Sequence, residues 1–496
     1  MAQSRGFPSS IPLPPSHDLR RLLTSNEVPL DSEIPFITQA ISKEQAQVDV
    51  LNAQIRRRSG PHSTGPPHLV QQRNEIAEDV RRHQAILSAI RHIPPELLCH
   101  IFSLATSATG RIGEDIVDIP PWDIIHVCRS WRQTALSYPV LWSVIEISPY
   151  TAFSTDMIEA QLSWSGDTPL AIYQWGGIGD PKDVDPRLLD LVVAQCSRWR
   201  ILHLKQIPDA NFDWIRQTRG NLPSLEVLEV LAPNATVPDI FSNATSLRRV
   251  TLCEQNFQCS SPSLILPWGQ ITHYRGSHSA QRQLEILNVM PNLRQCSIRY
   301  SFRNGNLAGQ EALLPHLYSL ILQGDEFLLH LKTPLLQDLV LHKAQLETVL
   351  PFIHKSSCIL TKLRLTSFTL SPKLVPVLEA LPALTHLLIE TAGEKDQSQA
   401  DVFHAMKISN TSSDLCRNLE SLFYGYPHRD NFPWDAFFAM AYSRTGRLAW
   451  LRLFDVFDEY PMNDVEPGLQ MLREEGIDAA FLPKTAHLVA YAKEGL

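Results

Sequence analysis

No run of the chain approaches the ~20 consecutive apolar residues that a membrane span needs, so no membrane partner is expected. The stretch Met1 to Pro15 also lacks the apolar core of a secretory signal, and the expected address is cytoplasmic, nuclear or both. The eight cysteines are scattered, with no Cys-x-x-Cys pair for zinc or redox work; free thiols in a reducing compartment are the simplest reading. The glycosylation-like triplets at Asn234, Asn243 and Asn410 then read as chance matches. A basic excess is missing too. The formal charge of −8 argues against general nucleic-acid binding, although it says nothing of local patches.

Catalytic signatures are equally scarce. There is no Gly-x-Ser-x-Gly elbow, no His-Glu-x-x-His helix and no Gly-x-x-x-x-Gly-Lys loop. Gly176-Gly177-Ile178-Gly179 lacks a third spaced glycine and a following helix start, and reads as a turn. His83, His100 and His126 sit in helical stretches without metal-ligand partners at useful spacing, and Cys259 or Cys416 as a nucleophile needs a base that no motif supplies. The expectation is no enzyme, no catalytic residue, no metal and no cofactor.

What the sequence does hold is apolar material: 44% hydrophobic residues over 496 positions, more than one compact core accommodates, which points to several domains or to a repeat array. Residues 1–30 are rich in proline and serine and read as a mobile segment, with a short helix from Asp18 to Thr24 capped by Ser16 or His17. From Asp31 onward Ile34, Ile37, Ile41, Val48, Leu51 and Ile55 fall close to a seven-residue repeat that ends at Arg56-Arg57-Arg58, where cations suit a helix C-terminus. Ser59 to Pro67 breaks the chain, and a second helix is predicted from Leu69 to Arg91 with Ile76, Val80, Leu87 and Ile90 on its apolar side. Residues 31–92 therefore read as an antiparallel helical hairpin. A partner-binding coiled coil is the alternative, with Glu44 and His83 at its seam.

Residues 93–142 come next. Pro94 and Pro95 stand where a helix begins. Beyond them Leu97, Ile101 and Ala105 share one side, Leu98 and Phe102 another. One face can enter this chain's core; the other needs cover. Trp122 to Leu136 repeats the situation, with Ile124, Val127, Cys128, Trp131 and Ala135 at helical spacing and Ile125 and Leu136 off that stripe. The run Ile93-Pro94-Pro95-Glu96-Leu97-Leu98, followed by Ile101-Phe102, then Val127-Cys128-Arg129-x-Trp131-Arg132, then Tyr138-Pro139-Val140-Leu141-Trp142, resembles an F-box. The resemblance covers about a tenth of the chain and departs from the family at Ile93, where leucine is usual, and in the long connection from Ser103 to Pro121. It implies docking onto the Skp-type adaptor of a cullin ubiquitin ligase, through Ile93, Pro94, Leu97, Ile101, Val127, Cys128 and Trp131. The competing reading makes these ordinary core helices of a larger α domain.

After Trp142 a repeat takes over. A Leu-x-x-Leu-x-Leu phase recurs at Trp199/Leu202/Leu204, Leu225/Leu228/Val230, Leu247/Val250/Leu252, Ile271/Tyr274/Gly276, Leu293/Cys296/Ile298 and Leu317/Leu320/Leu322. It continues at Leu336/Leu339/Leu341, Leu360/Leu363/Leu365, Leu384/Leu387/Ile389, Leu419/Leu422/Tyr424 and Leu448/Leu451/Leu453. Trp142/Ile145/Ile147 and Leu170 to Tyr173 read as earlier strands. Spacings of 19 to 26 residues, widening to 35 and 29 at the end, are similar to leucine-rich repeats. Amphipathic stretches such as Leu188 to Ala194, Leu346 to His354, Val402 to Met406 and Ala436 to Tyr442 lie between the strands. The asparagine that follows the third leucine in that family is replaced by Ile207, Pro233, Gln255, Ser301, Asp325, Phe368 and Ala392, so irregular turns are expected.

The expected fold is thus α/β: a mobile segment over 1–30, a helical hairpin over 31–92, an F-box over 93–142, and an irregular leucine-rich-repeat solenoid over 143–496, with parallel strands on its concave side and helices outside. This order is similar to a large family of fungal F-box proteins, as is Leu22-Leu23-Thr24-Ser25-Asn26-Glu27-Val28-Pro29. The resemblance implies the substrate-recognition subunit of an SCF-type ligase; the alternative is a free-standing repeat scaffold whose F-box-like helices cap its N-terminal end. Two-residue alternation places Lys205, Arg249, Arg275, Arg299, Lys362, Arg364 and Arg452 on the concave side against Glu229, Asp338 and Glu390. Arginine forks suit carboxylate or phosphate. Arg249, Arg275, Arg299, Lys362, Arg364, Trp450 and Arg452 are therefore the candidate target-binding residues, for an acidic or phosphorylated protein segment, with Phe423, Trp450 and Phe454 as an apolar anchor. A solvated strand face that binds nothing is the competing reading.

Overall fold

The apolar seven-residue pattern after Asp31 becomes one long helix because nothing interrupts it until the glycine and prolines near residue 60. In the computed structural model, which describes residues 19–58, 66–107, 121–147, 154–175, 185–205, 213–218, 220–231, 239–253, 264–301, 307, 309–391, 399–409, 414–426, 432–455 and 465–482, the chain forms two compact units. The first comprises Met1–Val144 with Asp156–Thr168, the second Ile145–Thr155 with Pro169–Leu496.

In the first unit a short helix α1 (Leu19–Thr24) precedes α2 (Ile34–Arg58) and α3 (Pro67–Ile86). Ile37 and Ile86 pack together with Leu22, and Glu44 meets His83, so α2 and α3 run antiparallel. The two seam polar residues face each other: His83 Nδ1 lies 2.9 Å from a Glu44 oxygen. Residues 19–30 are not the loose segment their composition suggests. Leu22 is buried, Arg91 donates to the carbonyls of Leu22 and Glu27 at 3.0 Å, and Arg21 is bonded to Glu27 and Glu33. The predicted second helix also stops early, at Ile86. A 3₁₀ turn over Ala89–His92 follows, and it turns Ile90 out into solvent.

Three helices follow: α4 (Pro95–Ser107), α5 (Pro121–Val127) and α6 (Arg129–Leu136). The single helical stretch predicted from Trp122 to Leu136 is broken at Cys128. Its backbone is extended (φ −162°) and its Sγ accepts from Trp131 N at 3.4 Å, so it acts as the N-cap of α6. The break rotates the predicted stripe apart. Ile124 and Ala135 are buried, Ile125 joins them, and Val127 is exposed. Leu98 and Phe102 complete this core with Leu141 and Trp142. Trp142 donates its indole N–H to Ala135 O at 2.8 Å and stacks edge-on against Trp122 and against Trp164 of α7 (Thr155–Trp164).

The second unit is mixed α/β around one long parallel sheet. Its strands are β1 (Val144–Ile147), β2 (Leu170–Trp175), β3 (Trp199–Lys205), β4 (Val227–Leu231), β5 (Arg249–Cys253), β6 (His273–Ser279), β7 (Gln295–Ser301) and β9 (Ser319–Gln323). Then come β11 (Asp338–His342), β12 (Lys362–Phe368), β13 (His386–Thr391), β14 (Ser421–Tyr426), β15 (Trp450–Asp455) and β16 (Asp478–Leu482). Each pairs with the next in chain order, an arrangement compatible with a solenoid; β8 (Ala312–Leu313) and β10 (Leu331–Lys332) form a separate pair. The phase holds residue by residue. Leu202, Leu228, Val250, Tyr274, Cys296, Leu320, Leu339, Leu363, Leu387, Leu422 and Leu451 stand in successive register, all buried.

These buried rows face the helices. Tyr274 donates to Gln283 of the helix Ala280–Asn288, and Tyr424 packs against Phe403 of Gln399–Met406 and Phe437 of Trp434–Tyr442. The helix Pro186–Val193 starts with Asp185 accepting from Arg187 N and Pro186 at its first position. One of the turns between strands is held by an acid. Buried Asp325 accepts from Gln345 N at 2.9 Å, Thr348 N at 3.3 Å and Thr348 Oγ1 at 3.0 Å. Arg444 is 1% exposed and its guanidinium donates to three carbonyls, those of Cys416, Met406 and Leu415, at 2.6–2.8 Å; burial lowers its pKa.

Candidate functional site

Two surfaces carry the residues singled out by the sequence. The first is the outer side of α4 with the α5–α6 junction. A 13-residue helix with apolar residues all around it can bury only part of its circumference against two short neighbours. Leu98 and Phe102 take the inward positions, and Phe102 meets Trp131 at a ring distance of 5.0 Å. Leu97, Ile101 and Leu104, at i, i+4 and i+7, are left outward with exposures of 56%, 43% and 60%, and Val127 is 55% exposed. Pro94 is also exposed. Of the remaining predicted residues, Ile93 and Trp131 are half-buried against the inner cluster, and half-buried Cys128 is engaged in capping α6. Sequence reasoning selected Ala105 at i+8 and missed Leu104. The same 3-4 spacing contains it at i+7.

The second surface is the sheet face opposite the helices. Register places Arg249 and Lys362 in one row, Arg275, Arg364 and Arg452 in the next, and Arg299 in a third, all alternating with the buried rows. They do share a face, but not a state. Arg364 Nη2 is bonded to Asp338 at 2.7 Å. Arg452 is buried and bonded to Asp478, by Nη2 to its carboxylate at 2.8 Å and by Nη1 to its backbone carbonyl. Neither guanidinium is an open docking group. Arg249, Arg275 and Arg299 are exposed.

Toward the C-terminal end this face stops being polar. Leu388, Phe423 and Phe454 form a buried cluster with Leu482 packed against it, so Phe423 and Phe454 are core residues and cannot anchor a target. Gly425 makes the packing possible: a Cβ there would lie 2.3–2.5 Å from ring atoms of Phe454. Trp450 remains 41% exposed beside it.

Cys416 is buried and desolvation pushes its thiol up to about 11; Cys259 and the glycine run 176–179 lie outside the described residues. Among the described residues no group of three or more His, Cys, Asp or Glu could hold a metal ion, and no helix is long and apolar enough to cross a membrane. No protein-family model matches the chain, and no curated protein matches it either.

Proposed function

We propose that the chain is a non-catalytic substrate receptor of an SCF-type cullin ubiquitin ligase, in which an F-box over 93–142 binds the Skp adaptor and a leucine-rich-repeat solenoid over 143–496 holds a target protein. Tying both to one chain raises the target's effective concentration at the ligase, so that ubiquitin transfer becomes effectively intramolecular. The observation that carries the reading is the outward apolar side of α4. Leu97, Ile101 and Leu104 face water although the adjacent Leu98 and Phe102 are buried, and a contiguous apolar surface of this kind suits a partner protein. The in-register repeat strands support the second half of the reading.

The test is a pull-down with purified Skp adaptor. Wild type is recovered, and Leu97→Asp is not. Equal recovery of the two, or no recovery of wild type, removes the ligase reading.

A further inference from the structure

The polar part of the open sheet face has a charge pattern that the ligase reading does not require. Arg249, Arg275 and Arg299 lie on the adjacent strands β5, β6 and β7, each one same-face position further along than the last. They form a diagonal. None has an ion pair or hydrogen bond from its side chain to the described residues, and their in-register neighbours offer no carboxylate. Val227 and His273 flank Arg249, Thr251 and Ser297 flank Arg275, and Ser277 stands beside Arg299. Among the described residues, the acids on strands β4 and β11, to either side, are taken. Glu229 on β4 is paired with His203 at 3.1 Å, and Asp338 on β11 with Arg364 at 2.7 Å. Three neighbouring cations with no counter-charge among the described residues repel one another, and Arg249 and Arg299 act as further causes, behind burial, of the lowered pKa of His273 and His342.

We infer that Arg249, Arg275 and Arg299 form the target-recognition site and that it takes an extended protein segment carrying anionic side chains at every second residue, with the hydroxyls of Thr251 and Ser297 as additional donors. Geometry favours this occupant. Strands about 4.8 Å apart, stepped by about 6.6 Å along the chain, put successive arginines about 8 Å apart, and same-side residues of an extended peptide repeat at about 6.6–7 Å, a difference that long arginine side chains absorb. Phosphate and carboxylate share the chemistry, a planar fork meeting a pair of anionic oxygens. Single-stranded nucleic acid fits less well. The alternating face positions 249–253, 273–277 and 295–299 hold no Phe, Tyr or Trp on which bases could stack.

The inference deepens the receptor reading by naming the target's chemistry, and its test uses no adaptor, so the two fail separately. Full-length protein is titrated, by fluorescence anisotropy, against a labelled peptide alternating glycine with three phosphoserines, against its glutamate and serine counterparts, and against oligo-dT. The phosphoserine peptide binds, and the triple variant Arg249→Gln/Arg275→Gln/Arg299→Gln weakens it by at least about tenfold, the equivalent of one charge-assisted contact. Arg417→Gln, exposed in the turn ahead of β14, leaves it unchanged. Glutamate binding as tightly as phosphoserine assigns the site to acidic segments; weaker glutamate binding assigns it to phosphorylated ones. Undiminished binding by the triple variant, equal binding of the serine peptide, or tighter binding of oligo-dT overturns the proposal. Thermal melts followed by circular dichroism confirm folding, and Arg275→Gln alone is read if the triple variant melts early.

Discussion

The repeat sheet and helix α4 are built from the same aliphatic residues and treat them in opposite ways. In the sheet, the leucines facing the helices are buried from β3 to β15, and toward the C-terminal end even the opposite face closes over Leu388, Phe423 and Phe454. On α4 the inward pair is buried and the outward three are left to water. A sheet strand has neighbours on both edges and a helix layer on one face, so its apolar rows meet their cover within the chain. An isolated helix against two short ones does not. The aliphatic surface that results on α4 is contiguous, unlike singly scattered exposed residues, and it is the surface on which the proposed receptor reading rests.

Substitutions that probe sealed and unsealed positions sharpen the contrast. Leu98→Asp, which places a carboxylate among Phe102, Ile124 and Ile125, is expected to cost about 5 kcal/mol and to unfold the first unit in a urea titration followed by circular dichroism. Arg444→Ala takes the guanidinium donor from the carbonyls of Met406 and Leu415 and one of two donors from that of Cys416, which keeps the Leu419 N–H. Removing the guanidinium should cost about 3 kcal/mol, read as a lower urea midpoint for the second unit. Gly425→Ala forces Phe454 off β14 and should cost about 1–3 kcal/mol by the same measurement.

A smaller effect is expected from pH. His273, His342 and His386 all have lowered pKa values, caused first by burial and then by neighbouring cations: Arg249 and Arg294, Arg299 and Arg364, and Lys362 respectively. Their unfolded forms bind protons more readily. The stability they contribute is therefore fully present above about pH 6.5 and is lost as the pH falls through their folded values. The urea midpoint should drop between pH 7.5 and 5.5, and the triple His→Gln variant should flatten that drop. Smallest of all is Leu97→Asp, which should change stability by less than about 0.5 kcal/mol, the value for an exposed position, although its neighbour Leu98 is among the most sensitive.

Much of this architecture is readable in the sequence because a strand fixes its partners by periodicity. The eleven repeat phases identified from leucines each became a strand, paired in the anticipated order. β16 escaped because Ala479 and Phe481 carry no leucine signal. Features set by three-dimensional neighbours were not readable. The break at Cys128 depends on a sulfur accepting a single backbone N–H, and nothing local distinguishes buried Arg444 from a solvated helix-end arginine. The open sheet face was legible in its alternation but not in its pairing. Arg364 and Arg452 look as available as Arg275 until Asp338 and Asp478 are placed beside them.

Hydrogen exchange measured by mass spectrometry with and without purified Skp adaptor reads directly whether the outward side of α4 is a surface for that adaptor. Slowed exchange confined to residues 95–107 and 121–136 on adding the adaptor is the predicted result. Unchanged exchange there, or protection appearing only in the repeat strands between 199 and 482, would contradict it.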